Sequence, residues 1–250
     1  MTEEVHPPVE EYLETIWSLE EEGAPVIQAR VAKRLGRSVP TVSAMLERLE
    51  SDGYLHRKPR RLVLTTKGRT RAISVVRKHR LAERLLVDVI GLPWHKAHAE
   101  AGRWEHVISD EVEQYLVTLL GNPSTCPHGN PIPSMSDIKT SRKAARQTGQ
   151  HDSDTAGNPR KISLEDKSYP VPLSETSIGD KITIERVTEE MEMSWESLEL
   201  ANRDGILPGA LFTVISHKDD GTMELSGEKG AVVLSPWMSE RIWVIYSVQL

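Results

Sequence analysis

Residues 38–64, SVPTVSAMLERLESDGYLHRKPRRLVL, decide how the first third of this chain folds. Ser38 and Pro40 supply a cap and a first-turn start for a helix over Thr41 to Ser51. Gly53, Tyr54 and Leu55 then lead to Leu62, Val63 and Leu64, two short strands on either side of the charged tip Arg57, Lys58, Pro59, Arg60 and Arg61. Upstream, Ile27, Val31, Ala32 and Leu35 repeat at helical spacing until Gly36 breaks the pattern. Before them Val9, Tyr12, Leu13, Ile16, Trp17 and Leu19 form a first amphipathic helix that stops ahead of Gly23. Helix, helix, turn, helix and β-hairpin is the order of a winged helix-turn-helix.

Charge sharpens that expectation. The chain of 250 residues carries a formal charge of −6, yet Val26 to Arg80 holds 15 Lys and Arg against only Glu47, Glu50 and Asp52, a net of +12. The remainder is therefore at −18. A block this basic on an acidic protein is either a solvated face or the footprint of a polyanion. Laid in DNA, the helix starting at Pro40 enters a major groove about 12 Å wide, with Ser38, Thr41 and Ser43 near its N-terminus. Arg30, Arg37, Arg48, Lys58, Arg60 and Arg61 are the phosphate candidates, because guanidinium and ammonium groups displace condensed counterions. Composition excludes collagen, disulfide scaffolds and wholesale disorder: 38% of residues are hydrophobic and Cys126 is the lone cysteine. No apolar run reaches the roughly 18 residues of a membrane span, and Met1 to Pro8 lacks the regions of a secretory signal, so a cytoplasmic setting without membrane contact is expected.

The next segment carries imidazoles and carboxylates at metal-binding spacing. One long helix is expected from Thr70 to Ile90, with His79 and Glu83 four apart on one face. Pro93 and Trp94 open another, on which His98, Gly102, Glu105 and His106 lie along a stripe, and Ser109 and Asp110 cap a third with the apolar face Val112, Tyr115, Leu116, Leu119 and Leu120. Imidazole and carboxylate one turn apart can hold a divalent ion while a neighbouring helix completes it. Cys126 and His128, two residues apart, either chelate as well or are a tucked loop residue and a surface histidine. His6, His56, His95, His151 and His217 have no such spacing and are expected to be structural or solvated.

The runs RKHRLAERLL from Arg77, VDVIGL from Val87, HAEAGRWEH from His98 to His106, SDEVE from Ser109 and GNPIP from Gly129 to Pro133 closely resemble the diphtheria-toxin-repressor family of metal-dependent bacterial regulators. The resemblance is strong over Val9 to Pro133 and weak over a C-terminal SH3-like domain. It implies a homodimeric winged-helix repressor, mainly α within an α+β fold, whose loaded form binds a palindromic operator in double-stranded DNA. Carried over by position, a first metal site falls on Glu11, the Gly102 carbonyl, Glu105 and His106, with Glu14 able to fill a gap. The iron pattern has Met and Cys where Glu11 and Gly102 stand, so sulfur donors are lost and the site moves toward hard oxygen ligation, suiting Mn²⁺ first and Fe²⁺ next, with Co²⁺ or Zn²⁺ taken in vitro. A second site uses His79, Glu83 and His98, with Glu189 and Glu192 as candidates from the C-terminal domain; the run Cys126-Pro127-His128-Gly129 resembles that of some manganese-type members, where thiolate and imidazole join the acid equivalent to Glu83. Two divalent ions per subunit are implied.

The resemblance and composition together give a winged-helix domain over 1–70, a helical metal-binding and dimerisation domain over 71–133, a polar linker over 134–162 and an SH3-like (FeoA-like) β-barrel over 163–250. Strands are expected around Lys181 to Val187, Ala210 to Ile215, Thr222 to Leu225 and Ile242 to Val248, with a short helix from Trp195 to Asn202. This last part carries −9 and is expected to avoid DNA. A metal-dependent hydrolase is the remote alternative, but no His-Glu-x-x-His, phosphate-cradling loop or nucleophile elbow is present, so neither catalysis nor a small organic substrate is expected. A DNA-binding module answering to a partner or small molecule, its histidines incidental, is the third possibility.

Overall fold

The computed structural model describes residues 8–134 and 169–247, which fall into two compact units. Among described residues the first comprises 8–79, 104–110 and 132–134; the second comprises 80–103, 111–131 and 169–247. The expected linker lies, from residue 135 onward, outside the described residues.

The first unit opens with α1 (Pro8–Glu21), which buries Tyr12, Leu13, Ile16 and Leu19 at three- and four-residue spacing. Next come α2 (Gln28–Arg34) and α3 (Val39–Ser51), separated by Gly36 at φ +59°. Ser38 caps α3, its hydroxyl accepting from the Thr41 backbone N–H at 3.3 Å, with Pro40 in the first turn. Strands β1 (Leu55–Lys58) and β2 (Arg61–Leu64) pair antiparallel with Leu55 opposite Leu64 and Lys58 opposite Arg61. Leu55, Leu62 and Leu64 point inward to join Val31, Val42, Leu46 and Leu49 in the core under α1. Burying each such side chain is worth about 1.5–3 kcal/mol, which holds α1 against the reading helix. The winged helix-turn-helix expected from residues 38–64 is present.

Helix α4 (Thr66–Arg84) starts earlier than the periodicity implies and loses its α geometry at Arg84, widening into a π-turn over Leu85–Val89. That turn leaves Leu86 buried while Val89 and Ile90 are each 55% exposed. A 3₁₀ turn at Trp94–Lys96 leads into α5 (Ala97–Trp104). Because α5 ends at Trp104, Glu105 and His106 sit on the following turn and not on a helical stripe with His98. Helix α6 (Asp110–Leu119) leaves Val112, Tyr115 and Leu119 largely exposed along one side.

The C-terminal part of the second unit is a six-stranded antiparallel sheet in the order β3-β8-β4-β5-β6-β7, formed by β3 (Val171–Pro172), β4 (Lys181–Val187), β5 (Leu211–His217), β6 (Met223–Gly227), β7 (Gly230–Leu234) and β8 (Ile242–Tyr246). Among the described residues the pairing runs from β3 to β7 without closing, so the ladder of the expected small barrel is open there. Register shifts at Ile184/Arg186 and Val214/Ser216 bend β4 and β5 around an apolar core that includes Ile184, Met191, Leu198 and Leu225. Helices α7 (Glu189–Glu192), α8 (Trp195–Asp204) and α9 (Pro236–Ser239) cover it. The short strands β3 and β7 carry too little alternation to be read from sequence.

Candidate metal centres and DNA-binding face

In the first unit, a buried chain of acids and imidazoles ties α1 to α4 and to the turn after α5. His79 Nδ1 lies 2.5 Å from Glu105 Oε2, and Glu105 Oε1 lies 2.9 Å from His106 Nε2. His106 Nδ1 is in turn 2.5 Å from Glu10 Oε2, and Glu10 also pairs with Arg71. Glu14 approaches His79 Nδ1 at 4.0 Å, and donor atoms of Glu14, His79 and Glu105 fall within 4.8 Å of one another. Burial works to raise the Glu105 carboxyl, but hydrogen bonds from His106 and His79 outweigh it and hold the group down at about 2. Burial likewise opposes charge on His106, and Glu10 and Glu105 override it to lift the imidazole to about 10. Such a cluster of acids around two imidazoles fits a hard divalent cation.

One expected member of this centre is placed differently. Glu11 points away: its Oε2 lies 3.7 Å from Arg37 Nη2 and its side chain is 44% exposed, while the first-helix carboxylate at His106 belongs to Glu10. Helix phase explains this placement, since Glu10 and Glu14 are four apart and share a face, whereas Glu11 is turned about 100° from Glu10. Within the first unit His79, which the resemblance assigns to the second site, is hydrogen-bonded to Glu105. Gly102 lies on α5, where an added Cβ would meet no atom within 4 Å.

In the second unit Glu83 from the end of α4, His98 from α5, Cys126 and His128 from one loop and Glu192 from α7 converge. His98 Nδ1 is 3.0 Å from Glu192 Oε2 and 3.4 Å from Glu83 Oε1, and His128 Nδ1 is 3.2 Å from Glu83 Oε1. Glu83, Cys126 and His128 bring their donor atoms within 4.8 Å of one another, and none is more than 1% exposed. Among the described residues His128 Nδ1 has no well-aligned hydrogen-bond partner, although this buried atom lies close to the carboxylates of Glu83 and Glu192. Burial, Glu83 and Glu192 all push the Cys126 thiol well above its ordinary range, so a cation bound there would have to displace its proton. Glu189, the other C-terminal candidate, faces Arg80 at 3.6 Å instead.

The loop bearing Cys126 and His128 is fastened to β4. Asn130 Nδ2 donates to Val187 O at 2.9 Å and to Glu192, its Oδ1 accepts from Arg186 at 2.9 Å, and Val187 N donates to His128 O at 3.0 Å. Gly129 adopts φ +91°, and a Cβ there would stand 2.1 Å from Glu185 O, so only glycine permits this approach. Sequence reasoning missed Glu10, Asn130 and Arg186, which hold the donors; of these only Glu10 carries a sequence signal, its four-residue spacing from Glu14.

The expected DNA contacts all belong to the first unit. Arg30, Arg37, Ser38, Pro40, Thr41, Arg48, Lys58, Arg60 and Arg61 are exposed and Ser43 is half-buried. Ser38 and Thr41 hydroxyls are 2.8 Å apart and Ser43 donates to Glu47 at 3.3 Å, so the small hydroxyls at the head of α3 serve the helix as well as any base.

Residues 4–63 match the family described as iron dependent repressor, N-terminal DNA binding domain, and residues 65–134 match its metal binding and dimerisation domain. The iron-dependent repressor IdeR of Mycobacterium leprae is 44% identical over 206 residues, covering 82% of each chain. The diphtheria toxin repressor of Corynebacterium jeikeium is 41% identical over 230 residues, covering 90% of this chain and 91% of that protein. The chain belongs to the iron-dependent (diphtheria toxin) repressor family. It is a metal-dependent transcriptional repressor, and members of this family bind DNA and are not enzymes. A solved structure titled manganese-dependent transcriptional repressor complex with manganese is 26% identical, with a TM-score of 0.74 over 96% of the repressor and all of that chain. The manganese regulator SloR, at 22% identity and a TM-score of 0.70, shares the fold. Divalent metal, DNA and a second copy of the chain are the repressor's ligands. Among described residues no helix is long and apolar enough to cross a membrane.

Proposed function

We propose that this repressor answers to Mn²⁺, with Fe²⁺ as the alternative effector, at two centres per subunit, and that its loaded homodimer binds a palindromic operator of metal-homeostasis genes in the cytoplasm. One observation carries this: Glu14, His79, Glu105 and His106 form a buried cluster of oxygen and nitrogen donors that joins α1 of the winged fold to α4 and the turn after α5. With glycine at 102 the cluster gains no thiolate, which favours hard Mn²⁺ over a soft ion. Relatives named for iron and a structure holding manganese leave both ions as candidates.

A bound divalent cation would supply the positive charge that lets these carboxylates converge. Glu10 holds His106 by Nδ1, which leaves Nε2 turned toward Glu105. Glu105 spans His79 and His106, and Glu14 brings in α1. Glu11 and the Gly102 carbonyl are the further donors we assign to the loaded site. Because α1 shares its core with α2 and α3, holding α1 holds the reading helix, whose spacing from its dimer mate must match half-sites about 34–36 Å apart or a multiple of it. The exposed row Val112, Tyr115 and Leu119 supplies the apolar face for pairing. At the second centre Glu83, His98, Cys126, His128 and Glu192 offer a mixed oxygen, nitrogen and sulfur set for Mn²⁺ or Fe²⁺, which also accepts Co²⁺ or Zn²⁺ in vitro.

The test is an operator-binding titration in chelator-buffered Mn²⁺, Fe²⁺, Co²⁺ and Zn²⁺, read by fluorescence anisotropy. Activation led by Mn²⁺ or Fe²⁺ supports the proposal. Operator affinity indifferent to the chelator, or a flat response to added salt, overturns it.

A further inference from the structure

Glu11 and Arg37 stand where the first centre meets the DNA-binding face, and a joint role for them rests on the metal-activated operator binding proposed for this repressor. Glu11 sits on α1 between Glu10 and Glu14, three residues before the acid that approaches His79. Its carboxylate nevertheless lies 3.7 Å from the guanidinium of Arg37, the residue immediately before the cap of α3. With Thr41, Met45 and Arg48 of the reading helix, the pair lines a groove of about 350 Å³. The acid therefore projects onto the surface that a phosphate backbone must approach.

Each member of this pair has a second claimant of like charge to its present partner. Arg37 can serve Glu11 or a phosphate at the head of the reading helix, and Glu11 can serve Arg37 or a cation beside Glu14. We propose that the Glu11–Arg37 ion pair couples the two ligands: either one alone must break it, and once one has done so the other binds without that cost. Such coupling is reciprocal by thermodynamic necessity, so cation tightens DNA and DNA tightens cation by the same factor. An exposed pair is worth up to about 1 kcal/mol, which converts to roughly fivefold per protomer and about 25-fold for a dimer on one operator.

Two half-exposed side chains can be changed without threatening the fold. Arg37→Gln should bind Mn²⁺, in the absence of DNA, up to about fivefold more tightly by calorimetry, and Arg37→Lys should restore the parent constant. Glu11→Gln should raise operator affinity in chelator by up to about 25-fold. If the parent protein's operator binding ignores Mn²⁺, the proposed function itself fails. If the parent responds but Arg37→Gln binds Mn²⁺ no more tightly than it does, or Glu11→Gln gains no affinity in chelator, the ion-pair coupling alone is overturned.

Discussion

Glu105→Gln is the substitution that bears most directly on the switch. The carboxylate is 4% exposed, sits 2.5 Å from His79 and 2.9 Å from His106, and is held ionised at about 2 against its own burial. The amide keeps the volume but loses the charge, and its NH₂ presents a donor to one of two imidazoles that now face an acceptor. Loss of a group that merely orients a ligand costs metal affinity about 10–100-fold; a direct donor lies at or above the top of that range, so at least about 100-fold, or roughly 2.7 kcal/mol, is expected. The operator-binding midpoint in buffered Mn²⁺ should move by the same factor, while far-ultraviolet circular dichroism stays that of the parent. A midpoint within about threefold of the parent, well under 1 kcal/mol, would refute the placing of Glu105 at the metal.

Protons compete for the same site. His106 is raised to about 10 from an ordinary 6.5, so its stabilising charge is complete below about 6.5 and is lost as pH climbs through 10; Glu105, lowered to about 2, loses its contribution only as pH falls through that value. A cation must displace the His106 proton, so Mn²⁺ affinity should rise by up to about tenfold per pH unit between 6.5 and 8.5, with proton release visible in buffer-dependent calorimetric enthalpies. Cys126→Ser should weaken Zn²⁺ at the second centre by at least about tenfold and abolish thiolate-to-metal absorption with Co²⁺, leaving the Mn²⁺ midpoint for operator binding in place. Tyr115→Asp puts a charge in the exposed row of α6 and should shift sedimentation toward monomer; a dimer of unchanged strength would exclude that face. Gly129→Ala drives a methyl into Glu185 O and should cost about 2 kcal/mol or more in urea unfolding, with the C-terminal sheet released first.

Much of the fold was legible because its signals are local. Ser38, Pro40, Gly36 and the apolar repeats of α1 to α3 act through neighbours a turn away, and the strands from Lys181 and Ile242 alternate over enough residues to be seen. The end of α4 was misjudged because Leu85 to Ile90 keeps an apolar pattern that a π-turn and an α-helix share. In the candidate site, Glu83, His98, Cys126 and His128 were found by spacing and resemblance, and the structure gathers them.

By itself the amino-acid sequence determined a basic winged helix-turn-helix, a histidine-rich helical segment and an acidic β-rich end, since caps, periodicity and charge are properties of short windows. Only the tertiary structure decided that Glu10 and not Glu11 meets His106, that His79 bonds Glu105, and that Glu192 rather than Glu189 reaches His98. Adjacent residues on a helix point about 100° apart, so a one-position choice between carboxylates depends on which face of α1 the distant turn at 105–106 packs against, and no local pattern carries that information.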